Sequence, residues 1–308
     1  MRFTLRQLEV FVAVAKQESV SRAAESLALS QSAASTSLSE LERQSDCQLF
    51  DRAGKRLSLN ALGRQLLPQA VALLDQAREI ERLLSGKTGY GLLELGATLT
   101  VGNYLATLLI GNFMQRHPEC RLKLHVQNTA NVVQQVAHYE LDLGLIEGDC
   151  QHPDIEVQPW VEDELVVFCA PRHPLAERGS ATLEELGREA WILREQGSGT
   201  RLTFDQAMRH HPAQLNIRLE LEHTEAIKRA VESGLGIGCI SRLALRDAFR
   251  RGSLVPVETP ELDLTRQFYF IWHRQKYQTA AMREFLELCR EMTAGIRRSD
   301  EIILPSIA

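Results

Sequence analysis

With 308 residues the chain is long enough for two or three compact units, and a 44% hydrophobic content provides substantial cores, which excludes a disordered chain. The formal net charge of −5 is unevenly spread: residues 1–90 hold 12 Lys or Arg against 10 Asp or Glu, and the remainder 23 against 30. Six cysteines without a CxxC pair and nine histidines, all after residue 116 and none at a ligand spacing, argue against a disulfide framework and a metal site; no cofactor is expected. The first residues carry no charged segment leading into an apolar run and a small-residue cleavage site. The 21 uncharged residues from Leu95 to Gln115 include Thr98, Thr100, Asn103, Thr107, Asn112 and three glycines, too polar for hydrocarbon. The expectation is a cytoplasmic protein without a membrane partner.

In chain order, Leu5, Leu8, Phe11, Val12 and Ala15 repeat at helical spacing, and Ser21 opens a second short helix with Ala23, Ala24 and Leu27. Leu27 to Leu29 form a short link into Ser30, a good N-cap for a third helix. In that helix Ala34, Leu38 and Leu41 share one face, while Ser32, Thr36, Ser39 and Arg43 fall opposite, with Gln31 and Ser32 in the first turn. Short hydroxyls and a Gln at that end suit base edges, because Gln pairs bidentately with adenine and Ser serves either base type. The competing reading is a Ser-rich surface helix. The next segment, QLFDRAGKRLSLN (48–60), shifts the balance, since it forms a two-stranded wing that brings Arg52, Lys55 and Arg56 towards phosphates or the minor groove.

From Asn60 an apolar stripe of Leu62, Leu66, Ala70, Leu73, Leu74, Ala77, Ile80, Leu83 and Leu84 predicts a long helix kinked at Pro68, with Arg64, Asp75, Arg78, Glu79 and Arg82 on its solvent face. A helix of this kind pairs with a copy of itself, so a homodimer or homotetramer is expected. GKTGYG (86–91) ends it as a hinge. Beyond it strands and helices alternate: strands at 92–97, 122–126, 141–146, 156–160 and 165–169, with helices at 104–117 and 131–139 among them. A second series has strands at 191–193, 217–221, 237–240 and 268–272, with helices from Gly199, at 225–233 and 242–250, and at 280–291. This is an α/β pattern with mostly parallel strands, repeated as two lobes.

In such sheets ligands lie where strands run into helix N-termini. Four junctions carry polar groups: Thr98, Thr100 and Asn103; Asn128 and Thr129; Ser198, Thr200 and Arg201; and Thr224. Any one of them alone is simply a helix cap; together they suit a small oxyanion. Glu147, at the end of the third strand, would repel an oxyanion unless it is paired, with Arg201 or Arg194 as candidates, or unless the ligand keeps a proton. Gly234, Gly236 and Gly238 follow a helix and precede a strand, the reverse of a dinucleotide loop, and no base can be matched to Ser198, so an enzyme is not expected. A solute-binding protein remains the rival reading for the C-terminal region, and an α/β enzyme fused to the helical module stands behind it.

The run from LRQLEVFVAVAKQ through SQSAASTSLSELERQ to SLNALGRQLL resembles the N-terminal domain of LysR-type transcriptional regulators. The likeness continues through EGDCQHPDIEVQPWVEDELVVFCAP, WILREQGSGTR and EAIKRAVESGLGIGCISR, strings most similar to the YeiE and FinR branch of that family. It implies a winged helix-turn-helix at 1–59, a linker (dimerisation) helix and hinge at 60–89, and a two-lobed, periplasmic-binding-protein-like α/β effector domain at 90–308. Lobe I would take about 90–161 and 267–295, lobe II about 162–266, the chain crossing between them near 160–164 and 264–267. It also implies a double-stranded DNA operator contacted by Gln31, Ser32, Ser35, Thr36, Arg52, Lys55 and Arg56, with an effector cleft at the four junctions. Many members carry Arg or Lys where this chain has Thr36, so its base preference is its own. The branch implies sulfite or a related sulfur oxyanion, and hydrogen sulfite would satisfy Glu147.

Overall fold

In the computed structural model the described residues are all but 1, 54–55, 86–89, 210–214 and 303–308; the side chains of 52, 53 and 56 are also left undescribed. Helix α1 (Leu5–Gln17) starts at a reciprocal capping box, Thr4 accepting from the Gln7 amide and Gln7 from the Thr4 amide. Helix α2 (Val20–Ser26) begins one turn-residue earlier than its sequence suggests, because Ser19 rather than Ser21 accepts the first free amide. Its buried Ala23 and Ala24 let α3 (Gln31–Gln44) approach closely, and α3 buries Ala34, Leu38 and Leu41 as its spacing requires. Strands β1 (Phe50–Ala53) and β2 (Arg56–Leu59) pair antiparallel into the expected wing.

Helix α4 (Ala61–Leu84) is a single helix of 24 residues that continues through Pro68, capped by Asn60. Its apolar stripe divides. Ala70, Val71 and Leu74 join the core of α1 to α3, whereas Leu62, Leu73, Ile80, Leu83 and Leu84 are exposed. The charged face departs from its sequence reading, since Asp75 is buried and accepts from Lys276, which also pairs with Asp142, both at 2.8 Å. Glu79 accepts from the Tyr277 hydroxyl at 2.8 Å and the Ala280 amide at 2.7 Å, so the C-terminal region covers the face that local periodicity assigns to solvent. The proposed hinge at 86–91 falls mainly outside the described residues.

The remaining strands form one nine-stranded sheet with two parallel wings. In the first, β3 (Leu92–Thr98) leads through α5 (Leu99–Val101), a π-helical turn (Gly102–Ala106) and α6 (Thr107–Arg116) to β4 (Arg121–Gln127). Helix α7 (Thr129–Ala137) then returns to β5 (Leu143–Glu147). Strand β3 lies parallel between β4 and β5. Strand β6 (Ile155–Cys169) is one continuous element of 15 residues where the sequence reads as two, because the polar middle of VEDEL (161–165) is held by the strand's own pairing across the crossover. The second wing follows with α8 (Pro174–Arg178), α9 (Leu183–Arg188), β7 (Ala190–Arg194), α10 (Gly199–Ala207), β8 (Asn216–Leu221), α11 (Thr224–Glu232), β9 (Ile237–Ser241), α12 (Arg242–Arg251) and β10 (Val255–Val257). Here β7 lies parallel between β8 and β9. Strand β11 (Thr265–His273) then crosses back, antiparallel to β5 and β6, with a register shift between Gln267 and Tyr269, before α13 (Ala280–Met292). The sheet is therefore mixed: parallel among β3, β4 and β5 and among β7, β8 and β9, antiparallel wherever a crossing strand, β6 or β11, pairs. Among the described residues no helix is long and apolar enough to cross a membrane.

Candidate functional site

Two places in the chain gather unspent polar chemistry, the outer face of α3 and the junction between the two sheet wings. On α3, Ser30 accepts from the Ala33 amide at 3.2 Å, which fixes the N-terminal turn. Gln31, Ser32, Ser35 and Thr36 are all exposed on it, and Ser32 Oγ lies 3.1 Å from Ser30 Oγ. The link from α2 is tight because Ala28 adopts φ of +52° and the Leu29 amide reaches the Ala24 carbonyl at 2.8 Å. Lys55 lies outside the described residues, as do the side chains of Arg52 and Arg56, although strands β1 and β2 carry the latter two.

At the wing junction the sequence-predicted residues separate into two groups, with Asn103 outside both. Thr129, Glu147, Ser198 and Thr200 come together. Thr129 Oγ1 donates to the Glu147 carbonyl at 3.2 Å and accepts from the Gly199 amide at 3.0 Å, and the Thr200 hydroxyl donates to Glu147 Oε1 at 3.2 Å. Ser198 caps α10 through the Arg201 amide at 3.0 Å, and Asn128 caps α7 through the Asn131 amide at 3.0 Å. Only glycine fits at 199, where a Cβ would meet the Glu147 carbonyl oxygen at 2.0 Å.

Glu147 is paired, but with neither expected arginine. Arg266 on β11 donates through NH2 to Glu147 Oε2 at 3.2 Å, through NH1 to the Thr200 hydroxyl at 3.1 Å and through Nε to Asp163 at 2.7 Å. Arg201 is occupied by Asp205 and Glu220, each at 2.8 Å, and Arg194 by Glu195 at 2.7 Å. One guanidinium thus faces two buried carboxylates, and burial pushes the Asp163 carboxyl above the usual range even though Arg266, Ser299 and Ser241 all donate to it. A lone Arg inside the strand-like LTRQFYFIW is the signal that could have found this residue.

Thr98, Thr100 and Thr224 form the second group, all buried. Thr98 and Thr224 stand where β3 runs into α5 and at the first residue of α11, and their hydroxyl oxygens have no hydrogen-bond partner. A buried orphan hydroxyl costs about 1–3 kcal/mol, so both are held at a cost that the described contacts do not offset. Asn103 stands apart from these as an exposed residue. Lys228, one helical turn beyond Thr224, was not foreseen; it is 7% exposed and pairs with Glu225 at 2.5 Å. The Thr224 to Lys228 spacing of four residues puts both on one face of α11.

A helix-turn-helix with a wing, followed by a long helix and two α/β wings joined by crossing strands, defines a DNA-binding transcription regulator with a ligand-responsive domain. The chain belongs to the LysR family: residues 5–64 match the bacterial regulatory helix-turn-helix protein of the lysR family, and residues 87–294 the LysR substrate binding domain. The HTH-type transcriptional regulator YeiE of Escherichia coli is 46% identical over 289 residues, covering 94% of this chain and 98% of the relative. The RuBisCO operon transcriptional regulator of Allochromatium vinosum is 34% identical, over 93% and 95% of the two chains. Among solved structures, full-length OxyR from Pseudomonas aeruginosa superposes with a TM-score of 0.72 at 23% identity, covering 96% of each chain. The Synechocystis CcmR regulatory domain in complex with 2-PG has a TM-score of 0.63 at 30% identity, covering 67% of this chain and 99% of that one.

Proposed function

We infer that the protein is a cytoplasmic homo-oligomer that reads an operator with paired α3 helices and senses a small oxyanion, sulfite foremost, at the junction of its two sheet wings. On the DNA side Gln31, Ser32, Ser35 and Thr36 address bases, while Arg52, Lys55 and Arg56 address phosphates. The modest positive balance of residues 1–90 means weak non-specific affinity and dependence on two tethered reading heads.

On the effector side the carrying observation is the pair of orphaned, buried hydroxyls of Thr98 and Thr224. Thr100, Asn128, Thr129, Ser198 and Thr200 add hydroxyls and amides, whereas Glu147 and Arg201 act through their partners on the neighbouring helix and strands. Hydrogen-bonding groups without a long side chain favour a compact ligand over a large apolar one. The 2-PG bound by the CcmR domain supports a second reading, a larger anionic metabolite in the same place.

Replacing Thr224 by Val separates these ideas from a purely structural role. It deletes a hydroxyl that has no partner at nearly constant volume, so the protein without ligand should gain about 0.5–1.5 kcal/mol of stability. Ligand binding should weaken at least about tenfold, the loss of one good charge-assisted hydrogen bond. Thermal shift and calorimetry with sulfite and with 2-PG read both effects. Unchanged affinity for whichever anion the wild type binds would remove Thr224 from the site, and binding of neither anion by the wild type would remove the oxyanion reading.

A further inference from the structure

The two wings of the sheet meet on two flanks of the junction, and the flanks differ in kind. On one the contact is main chain and buried. The Ala130 amide donates to the Gly197 carbonyl at 3.1 Å, the Gly199 amide donates to Thr129 Oγ1 at 3.0 Å, and Gly199 packs directly on the Glu147 carbonyl. On the other the contact is made by side chains. Tyr104, on the π-helical turn of the first wing, donates its hydroxyl to the Glu225 carboxylate in the second. Lys228 Nζ lies 2.5 Å from Glu225 and donates to the Tyr104 hydroxyl at 3.3 Å, with its ammonium 5.7 Å from the Tyr104 ring centroid. The Ala244 carbonyl of α12 accepts from the same ammonium at 3.1 Å.

We propose that Tyr104, Glu225 and Lys228 form a latch across the mouth of the effector site, which opens on this flank while the main-chain flank stays closed. Three observations carry it. The orphaned hydroxyls belong to the segments that carry the latch: Glu225 follows Thr224 in α11, and Tyr104 stands six residues beyond Thr98, in the π-helical turn that follows α5. The Glu225 side chain is 62% exposed, so water can replace the Tyr104 hydroxyl there while the buried Lys228 keeps its Glu225 partner on the same helix, whereas parting the buried main-chain flank strands a backbone carbonyl and an amide. Tyr104 sits on a π-helical turn, an irregularity that recurs at functional sites, and its ring packs against the hydrophobic clusters of both wings.

The latch is chemically stable at neutral pH. Burial and the neighbouring Glu225 carboxylate hold the Tyr104 phenol far above its ordinary value, so it remains a donor. Burial pushes the Glu225 carboxyl up, but hydrogen bonds from Lys228 and Tyr104 together with the Lys228 charge bring it below its ordinary value, so it remains an acceptor. Opening is then a mechanical event. It parts Tyr104 from α11 and leaves Lys228, on the same face of that helix as Thr224, paired with Glu225 and the Ala244 carbonyl.

This reading rests on the effector site proposed above, but its test needs no ligand. Hydrogen exchange read by mass spectrometry on the full-length protein compares wild type with Tyr104→Phe, which keeps the packed ring, and Glu225→Gln, which keeps the shape but not the charge. In both variants the amides of residues 99–106 and 224–229 should exchange at least about threefold faster, with those of 129–132 and 198–202 unchanged. Unaltered exchange at 99–106 in both variants would overturn the latch, as would an equal acceleration on both flanks. A second arm adds sulfite to the wild type: protection of 99–106 and 224–229 supports ligand entry at this flank, and protection confined to 129–132 and 198–202 contradicts it. If sulfite changes nothing, the oxyanion proposal fails while the ligand-free comparison still decides the latch.

Discussion

Leu73→Asp should convert the assembled protein into monomers that lose at least about a hundredfold in affinity for an operator with two half-sites, since tethering a second reading head contributes on the order of 10²–10⁴. The effect arises on α4, where Leu66, Leu73 and Ile80 recur every seven residues, the spacing of a paired helical seam. Leu73 is 39% and Ile80 56% exposed, and Leu83 and Leu84 are more exposed still, so among the described residues nothing covers this part of the face, while Leu66 is half-buried against the core of α1 to α3. The opposite face, through Ala70, Val71 and Leu74, is already committed to the core of α1 to α3, so a charge at 73 disturbs the seam and not the fold. Sedimentation velocity checks the mass and thermal melting checks the fold. An oligomer of unchanged mass would place the contact elsewhere.

Arg266→Met should be the most destabilising single change at the wing junction, by about 3–5 kcal/mol, because it leaves Glu147 and Asp163 buried without their shared cation. For a domain of this size that lowers Tm on the order of 10 °C. The pH dependence identifies the cause. Burial already raises the Asp163 carboxyl, and losing Arg266 raises it further, so the native variant binds more protons than the unfolded chain and its stability falls as pH rises through neutrality. The deficit relative to wild type should therefore be smaller at pH 5 than at pH 8. A deficit equal at both would show that lost packing, not stranded charge, is responsible.

Local pattern made much of this molecule legible from its residues. The apolar spacing of Ala34, Leu38 and Leu41 and the cap at Ser30 specify α3 with its exposed Gln and hydroxyls, since caps and helical faces are set by neighbours within a few residues. The wing and the alternation of strand and helix were readable for the same reason. What escaped depends on partners far along the chain. Asp75 reads as a surface residue until Lys276, 201 positions later, covers it. Arg266 reaches Glu147 across 119 positions and Tyr104 reaches Glu225 across 121, and no periodicity announces such pairs. The mistaken division of β6 has a similar origin: the acidic middle of VEDEL looks like a loop until Ser241, Ser299, Arg242, Arg266 and Arg298 supply its hydrogen bonds.

The proposed function joins two ends of one molecule: α3 reads an operator, and the distant junction of sheet wings alters that reading. An operator titration by fluorescence anisotropy, after genome-wide mapping of bound sites supplies the DNA, tests it most directly. The titration is run at fixed salt on wild type and Gln31→Ala, each with and without sulfite. Sulfite should change the wild-type operator affinity or the extent of its footprint. Gln31→Ala should lose about 1–3 kcal/mol of sequence discrimination per half-site while still responding to sulfite. Wild-type binding that is indifferent to sulfite, 2-PG and every other small anion, or discrimination unchanged in Gln31→Ala, would contradict the proposed function.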